Sequence, residues 1–223
     1  MKWLDVAGPP GVGKSTLCDP IFGPRDIPLS DTLPPPEWHD FFNEVTRLLM
    51  LVQDHPSYVA AVRMNRRTMR KMAAVHYLGA SASKPVYIQT GFVQRGLGFG
   101  WRLADLGMPV SELYHFFRLM PVSLGVVFLE ADQDEIRRRN REREDVAETA
   151  HENRSFMVPL MQPAIDYAKE ILGDRGVEVS EITTTGDPDA ARKLLQGLAA
   201  DAGHTETLGL GSKVPPVSPP VWW

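Results

Sequence analysis

Gly8-Pro9-Pro10-Gly11-Val12-Gly13-Lys14-Ser15 stands directly after the mostly apolar run Trp3-Leu4-Asp5-Val6-Ala7. It matches G-x-x-x-x-G-K-[ST] at every fixed position, and the flanking pattern predicts a buried strand before it and a helix after it. Each residue type has a task in that setting. Glycine at 8, 11 and 13 permits backbone angles and close approaches that a side chain would block. The loop N–H groups then converge on phosphate oxygens, helped by the N-terminus of the following helix. The segment Gly8, Pro9, Pro10, Gly11, Val12, Gly13, Lys14, Ser15 and Thr16 is therefore read as binding a nucleoside triphosphate, ATP. Lys14 is placed for the β- and γ-phosphates. Ser15 offers a hydroxyl to Mg²⁺, which otherwise holds phosphate oxygens and water. Thr16, deeper in the helix, is expected to pack. A plain strand-to-helix turn gives no reason for lysine and serine after the last glycine.

Working outward, the chain has 223 residues, 43% hydrophobic and 23% charged, which suits one α/β domain with a sizeable core. The net charge of −4 provides no global basic field, so a nucleic-acid partner needs a local basic patch. No apolar run approaches a membrane span. Met1-Lys2-Trp3-Leu4-Asp5 lacks the layout of a signal peptide. Cys18 is the only cysteine, which excludes disulfides and cysteine-based metal sites within one chain. A reducing cytoplasmic compartment is expected, the host cytoplasm if the chain is viral.

Strands are predicted at 3–7, 26–29, 85–89, 122–129 and 177–182. Helices are predicted at 14–21 (cut short by Pro20), 37–53, 57–78, 110–120 and 133–147. Two more follow at 153–172 and 187–198, with Pro159 and Pro163 expected to kink or split the first of them. Asp132 and Glu135 form an Asx version of a capping box. The alternation implies a parallel sheet with helices on both faces. Residues 1–202 are read as the domain. The Gly- and Pro-rich tail 203–223 is read as a flexible segment outside the core, suited to recruiting a protein partner.

The loop resembles that of the P-loop kinases of the nucleotide and nucleoside kinase class. Val126-Val127-Phe128-Leu129 is followed by Asp132 and then Arg137, Arg138, Arg139, Arg141 and Arg143. This stretch, about 133–150, looks like the arginine-rich lid of thymidylate and deoxynucleoside kinases. Thr185-Gly186-Asp187-Pro188 before a final helix is similar to their last turn. The resemblance covers roughly residues 2 to 200. It implies an α/β, three-layer P-loop NTPase fold with a five-stranded parallel sheet in the order 2-3-1-4-5. It also implies transfer of the γ-phosphate of ATP to a hydroxyl, with lid arginines neutralising the moving group. Arg138, Arg141 and Arg143 are the candidates for that role, beside Lys14. The alternative is a solvated helix, in which Asp134 attracts Arg138 and Arg139 repels Arg143.

Arg63, Arg66, Arg67, Arg70 and Lys71 share one face of a predicted helix, without an acid among them. That face either meets an anionic acceptor or is solvated surface. Gln89 stands where the related kinases often carry an acid, so the base is not carried over. Asp31 is the best remaining carboxylate for a general base, or else a turn residue. Arg63, Arg67, Arg70, Gln89 and Arg95 are the candidate substrate ligands. Trp38, Phe92, Phe99 and Trp101 are either a stacking wall for a base or core. In size, loop position and non-acidic strand end the chain resembles the phage kinases of 5-hydroxymethyluracil in DNA. This implies a DNA acceptor, with a free deoxynucleoside or its monophosphate as the alternative. A nucleotide-dependent switch, motor or adaptor is the rival from another class, but no apolar strand closes in Asp-Glu.

Overall fold

The computed structural model describes residues 3–22, 34–81, 86–88, 91–121, 125–142 and 148–201. The expected second strand at 26–29, Asp31, Gln89, Arg143 and the tail 203–223 lie outside the described residues. Four parallel strands form one sheet: β1 (Trp3–Ala7), β2 (Val86–Ile88), β3 (Gly125–Glu130) and β4 (Glu178–Thr183), in the order β2-β1-β3-β4. Numbered as in the sequence reading, this is the 3-1-4-5 portion of the expected order.

Parallel strands require crossovers, and helices supply them on both faces. The alternation of side chains along each strand divides the core in two. Trp3 and Ala7 of β1, with Val126 and Phe128 of β3, lie in the larger core. It is filled from α2 (His39–Leu51), α3 (Tyr58–Ser81), α4 (Phe92–Asp105), α5 (Tyr114–Leu119) and α7 (Glu148–Asp174). Leu4, Val6, Val127 and Leu129 face the smaller core under α1 (Lys14–Phe22) and α8 (Pro188–Asp201). The last helix, α6 (Gln133–Arg141), follows β3. Asp5 is the one polar residue of β1, fully enclosed on the side of the larger core.

The structure departs from the sequence reading in several places. α4, which carries Gly96, Gly98 and Gly100, is not among the helices predicted from the sequence. Two of these glycines are required by close packing. A Cβ on Gly96 would lie 2.5 Å from the Phe117 ring, and one on Gly100 only 2.3 Å from Ala164 Cβ of α7. Trp38, Phe92 and Phe99 are buried in the larger core rather than forming a stacking wall. α1 continues through Pro20 to Phe22, since the carbonyl left without a donor belongs to exposed Thr16. Pro159 and Pro163 do not divide α7; both lie on its exposed side. The expected helix at 110–120 is a 3₁₀ turn, Val110–Leu113, followed by α5. α6 ends at Arg141; the Asp132 side chain makes no cap bond, and the Glu135 carboxylate is turned toward Arg138 and Arg139. Among the described residues no helix is long and apolar enough to cross a membrane.

Candidate active site

The loop joins β1 to α1 as its sequence predicts. Gly11 has φ of +83°, and a Cβ there would lie 2.6 Å from Asn140 Oδ1, so only glycine admits both the turn and the cover above it. Lys14 Nζ donates to the carbonyl oxygens of Gly8 at 2.6 Å and Pro9 at 2.9 Å. The ammonium therefore lies folded along the loop that it would share with phosphates. Thr16 is exposed rather than packed, and Ser15 is half-buried.

α6 braces the loop from the far side. Arg139 Nη1 donates to the Val12 carbonyl at 3.2 Å and to Thr184 Oγ1 at 3.0 Å, while Nη2 donates to the Thr184 carbonyl at 2.6 Å. Thr184 Oγ1 itself donates to the Val12 carbonyl at 2.7 Å. Glu135 accepts from Arg139 Nε at 2.7 Å and so fixes the fork. The neighbouring Asn140 is completely buried, and among the described residues neither atom of its amide has a hydrogen-bond partner.

The expected lid arginines divide. Arg139, not singled out from the sequence, touches the loop. Arg138 instead pairs with Glu135 and Glu142 on the exposed side, and Arg141 is exposed. Asp134 pairs with Arg137 rather than Arg138. The hydrogen bonds donated by Arg138 hold the Glu135 carboxyl down to about 2, with Arg139 adding to the effect.

The opposite wall is built by α4 and α3. The Gly8 N–H donates to Gln94 Oε1 at 3.1 Å, tying the start of the loop to the first turn of α4. The next residue, Arg95, has its Nε sealed from solvent without a partner. Burial pushes its guanidinium down to about 10, against the opposing pull of Asp5. Asp5 lies beneath the start of α4, where its Oδ2 accepts the Val93 N–H at 3.3 Å. Enclosure raises its carboxyl to about 7; the amides of Val93 and Gly91 and the charges of Lys71 and Arg95 act in the other direction. A carboxylate inside an otherwise apolar strand was the available sequence signal.

On α3, Arg63, Arg66 and Arg67 point to solvent and Arg70 is half-buried. The face turned inward carries Ala61, Asn65, Thr68 and Met72. Near the far end of α4, Arg102 Nε donates to Ser57 Oγ at 2.8 Å, so the two helices run together from Ser57 toward the loop. Among the described residues no trio of His, Cys, Asp or Glu side chains is grouped to hold a metal ion.

No family model matches the chain, and no curated protein does. Solved structures of similar shape include the deoxyadenosine kinase from M. mycoides with bound dATP. It is 12% identical and superposes with a TM-score of 0.53 over 90% of this chain and all (100%) of that one. The same enzyme with products dCMP and a flexible dCDP bound gives a TM-score of 0.52, at 12% identity and the same coverage. The chain has the fold of these P-loop nucleoside kinases.

Proposed function

We propose that the chain is an ATP-dependent phosphotransferase that moves the γ-phosphate to a hydroxyl of a nucleoside, nucleotide or nucleic acid. The observation that carries this reading is the loop clamped between two elements. Arg139 and Thr184 hold it at Val12, and Gln94 holds it at Gly8. Such bracing fixes the loop amides before the triphosphate arrives, which is where electrostatic catalysis of phosphoryl transfer begins. The deoxyadenosine kinase fold supports the same chemistry by analogy.

In this reading Lys14 exchanges the Gly8 and Pro9 carbonyls for phosphate oxygens and draws charge off the leaving diphosphate. The donor set fits Mg²⁺ carried mainly by phosphate oxygens, with Ser15 as the side-chain hydroxyl; among the described residues no carboxylate cage competes for it. The ion would supply charge neutralisation between the phosphates. Arg138, Arg141 and Arg143 are the remaining lid cations. Arg138 must leave Glu135 and Glu142 to reach a phosphoryl group. Asp31 is proposed as the group that accepts the hydroxyl proton. Gln89, Arg63, Arg67, Arg70 and Arg95 are proposed for the acceptor side.

Exposed arginines on α3 favour a polymeric acceptor as the finer reading, with 5-hydroxymethyluracil in phage DNA as the specific candidate. A free deoxynucleoside or its monophosphate is the small-molecule counterpart. The test is an acceptor screen with γ-labelled ATP and Mg²⁺, using free nucleosides, monophosphates and base-modified DNA. Label is expected on one acceptor class and lost in Lys14→Ala while the fold persists. ATP hydrolysis alone with every acceptor, or a fully active Lys14→Ala protein, overturns the reading.

A further inference from the structure

Asn140 is buried where packing alone favours an apolar side chain. It stands one helical turn after Ile136, and these two are the buried residues of α6. The inward face of a helix ordinarily carries apolar residues at such a pair of positions. Asn140 is completely buried, and among the described residues neither Oδ1 nor Nδ2 has a hydrogen-bond partner. Exchanging the two amide atoms changes nothing, since both lack a partner. A leucine of similar size would fill the same space without the cost of an unpaired amide.

The amide occupies the room left by the missing side chain of Gly11. A Cβ there would lie 2.6 Å from Oδ1 and 2.9 Å from Nδ2. Both polar atoms are thus pressed on the backbone of the phosphate loop, yet they pair with none of its groups. Nor can α6 turn Asn140 away without breaking other bonds. The preceding residue, Arg139, is tied to Glu135, Val12 and Thr184, which fixes this part of the helix. The loop is the partner that has to move. Lys14 Nζ donates to the Gly8 and Pro9 carbonyls, and the Val12 N–H donates to the same Pro9 carbonyl at 3.4 Å. Wrapping a phosphate turns these donors toward its oxygens, and the peptides beside Gly11 rotate with them. The Val12 carbonyl is pinned by Arg139 and Thr184, so the rotation falls on Gly11, which is free of a side chain and has φ of +83°.

We propose that Asn140 is a positioning residue of the phosphate loop: its amide pairs with the Gly11 backbone when the loop wraps a triphosphate, and holds the loop in that conformation. It acts through the loop amides and not on the phosphates themselves. A hydrogen bond gained only in the wrapped loop adds to nucleotide affinity, whereas one present in both conformations would add nothing. Arg139 and Asn140 then divide the loop between them, one fixing Val12 and the other setting Gly11. The inference rests on the reading of the loop as a triphosphate site, and its test is a binding measurement that needs no transfer.

Isothermal titration of the full chain compares a non-hydrolysable ATP analogue, the matching GTP analogue and inorganic tripolyphosphate, each with Mg²⁺. The proteins are wild type, Asn140→Leu and Asn140→Ala. Both variants are expected to bind all three ligands roughly tenfold more weakly, since the loop and not the base is affected. Thermal melting without ligand separates this from a packing role. Asn140→Leu should melt at or above wild type, because it removes an unpaired buried amide. The rise in melting temperature on adding the ATP analogue should nonetheless be smaller in both variants than in wild type. Where leucine proves too large beside Gly11 to fold, Asn140→Ala carries the comparison. Variant affinities within about twofold of wild type overturn the inference. So does a loss confined to the ATP analogue, which would make Asn140 a reader of the base. Wild type that binds none of the three ligands overturns the kinase reading, and the inference with it.

Discussion

Arg139 Nη1 and the Val12 carbonyl oxygen, 127 positions apart in the sequence, are joined by a hydrogen bond of 3.2 Å. The contact ties α6 directly to the loop that follows β1. It is doubled by Thr184, which donates to the same carbonyl from the end of β4. Strand end, loop and α6 therefore share one acceptor atom.

That sharing predicts a specific mutational pattern. Arg139→Gln shortens the fork and strands the Thr184 carbonyl, a loss of about 1 to 3 kcal/mol for charge-assisted bonds of this kind. ATP affinity should fall about tenfold or more, because the loop is no longer held at Val12. Thr184→Val should show a smaller loss in the same direction. Arg138→Gln should leave affinity for ATP nearly unchanged in the unclosed protein, its partners being Glu135 and Glu142. Isothermal titration with a non-hydrolysable ATP analogue checks this. Equal losses from Arg138 and Arg139 would show that the brace is not what holds the loop.

The difference between these two arginines shows where sequence reading stops. The loop was legible because its chemistry is local: glycine spacing, lysine and serine all lie within one turn. The arginine run was legible as a charged helix for the same reason. Which arginine faces the loop depends on the angle at which α6 leaves β3, set by packing against α7 and by the β4 turn. Neighbouring helical residues differ by about 100° in direction, so Arg138 and Arg139 part company. α4 was illegible for a related reason. Gly100 looks like a helix breaker until Ala164, far along the chain, is seen pressed against it. Asp5 was visible but unread; only the approach of Gly91 and Val93 shows what it caps.

Asp5 gives the chain a titration that can be followed by stability. Its carboxyl is raised from 3.8 to about 7 by enclosure. Between those values the unfolded chain has already released this proton while the folded chain still holds it. The folded state then binds more protons, so this group's contribution falls as pH rises from about 4 to 7 and is level above that. Asp5→Asn keeps an acceptor for the Val93 N–H and removes the ionisation. Relative to wild type, the variant should gain stability progressively across that window, on the order of 2 to 4 kcal/mol at pH 8. Urea unfolding of both proteins at pH 4.5, 6 and 8 (roughly spanning the window) measures it. A difference that does not change with pH would mean that Asp5 keeps an ordinary carboxyl.

The solvent-facing arginines of α3 separate a polymeric acceptor from a small one. Arg63 and Arg67 are exposed and Arg70 is half-buried, so all three differ from Arg95, whose Nε is sealed. Exposed arginines can track a DNA backbone, but they are poorly placed to enclose a single nucleotide. Changing Arg63, Arg67 and Arg70 together to Gln keeps side-chain length and helix tendency while removing charge. ATP affinity should stay within about twofold, since no α3 arginine touches the loop. With a DNA acceptor, binding should weaken and the slope of log affinity against log salt should fall by roughly one for each lost phosphate contact. Binding of a monophosphate should change little. The measurement is a salt titration of duplex binding beside a monophosphate titration, both at fixed ATP. An unchanged salt slope would leave the α3 face as solvated surface, and with it would go the structural preference for a polymer over a free nucleotide.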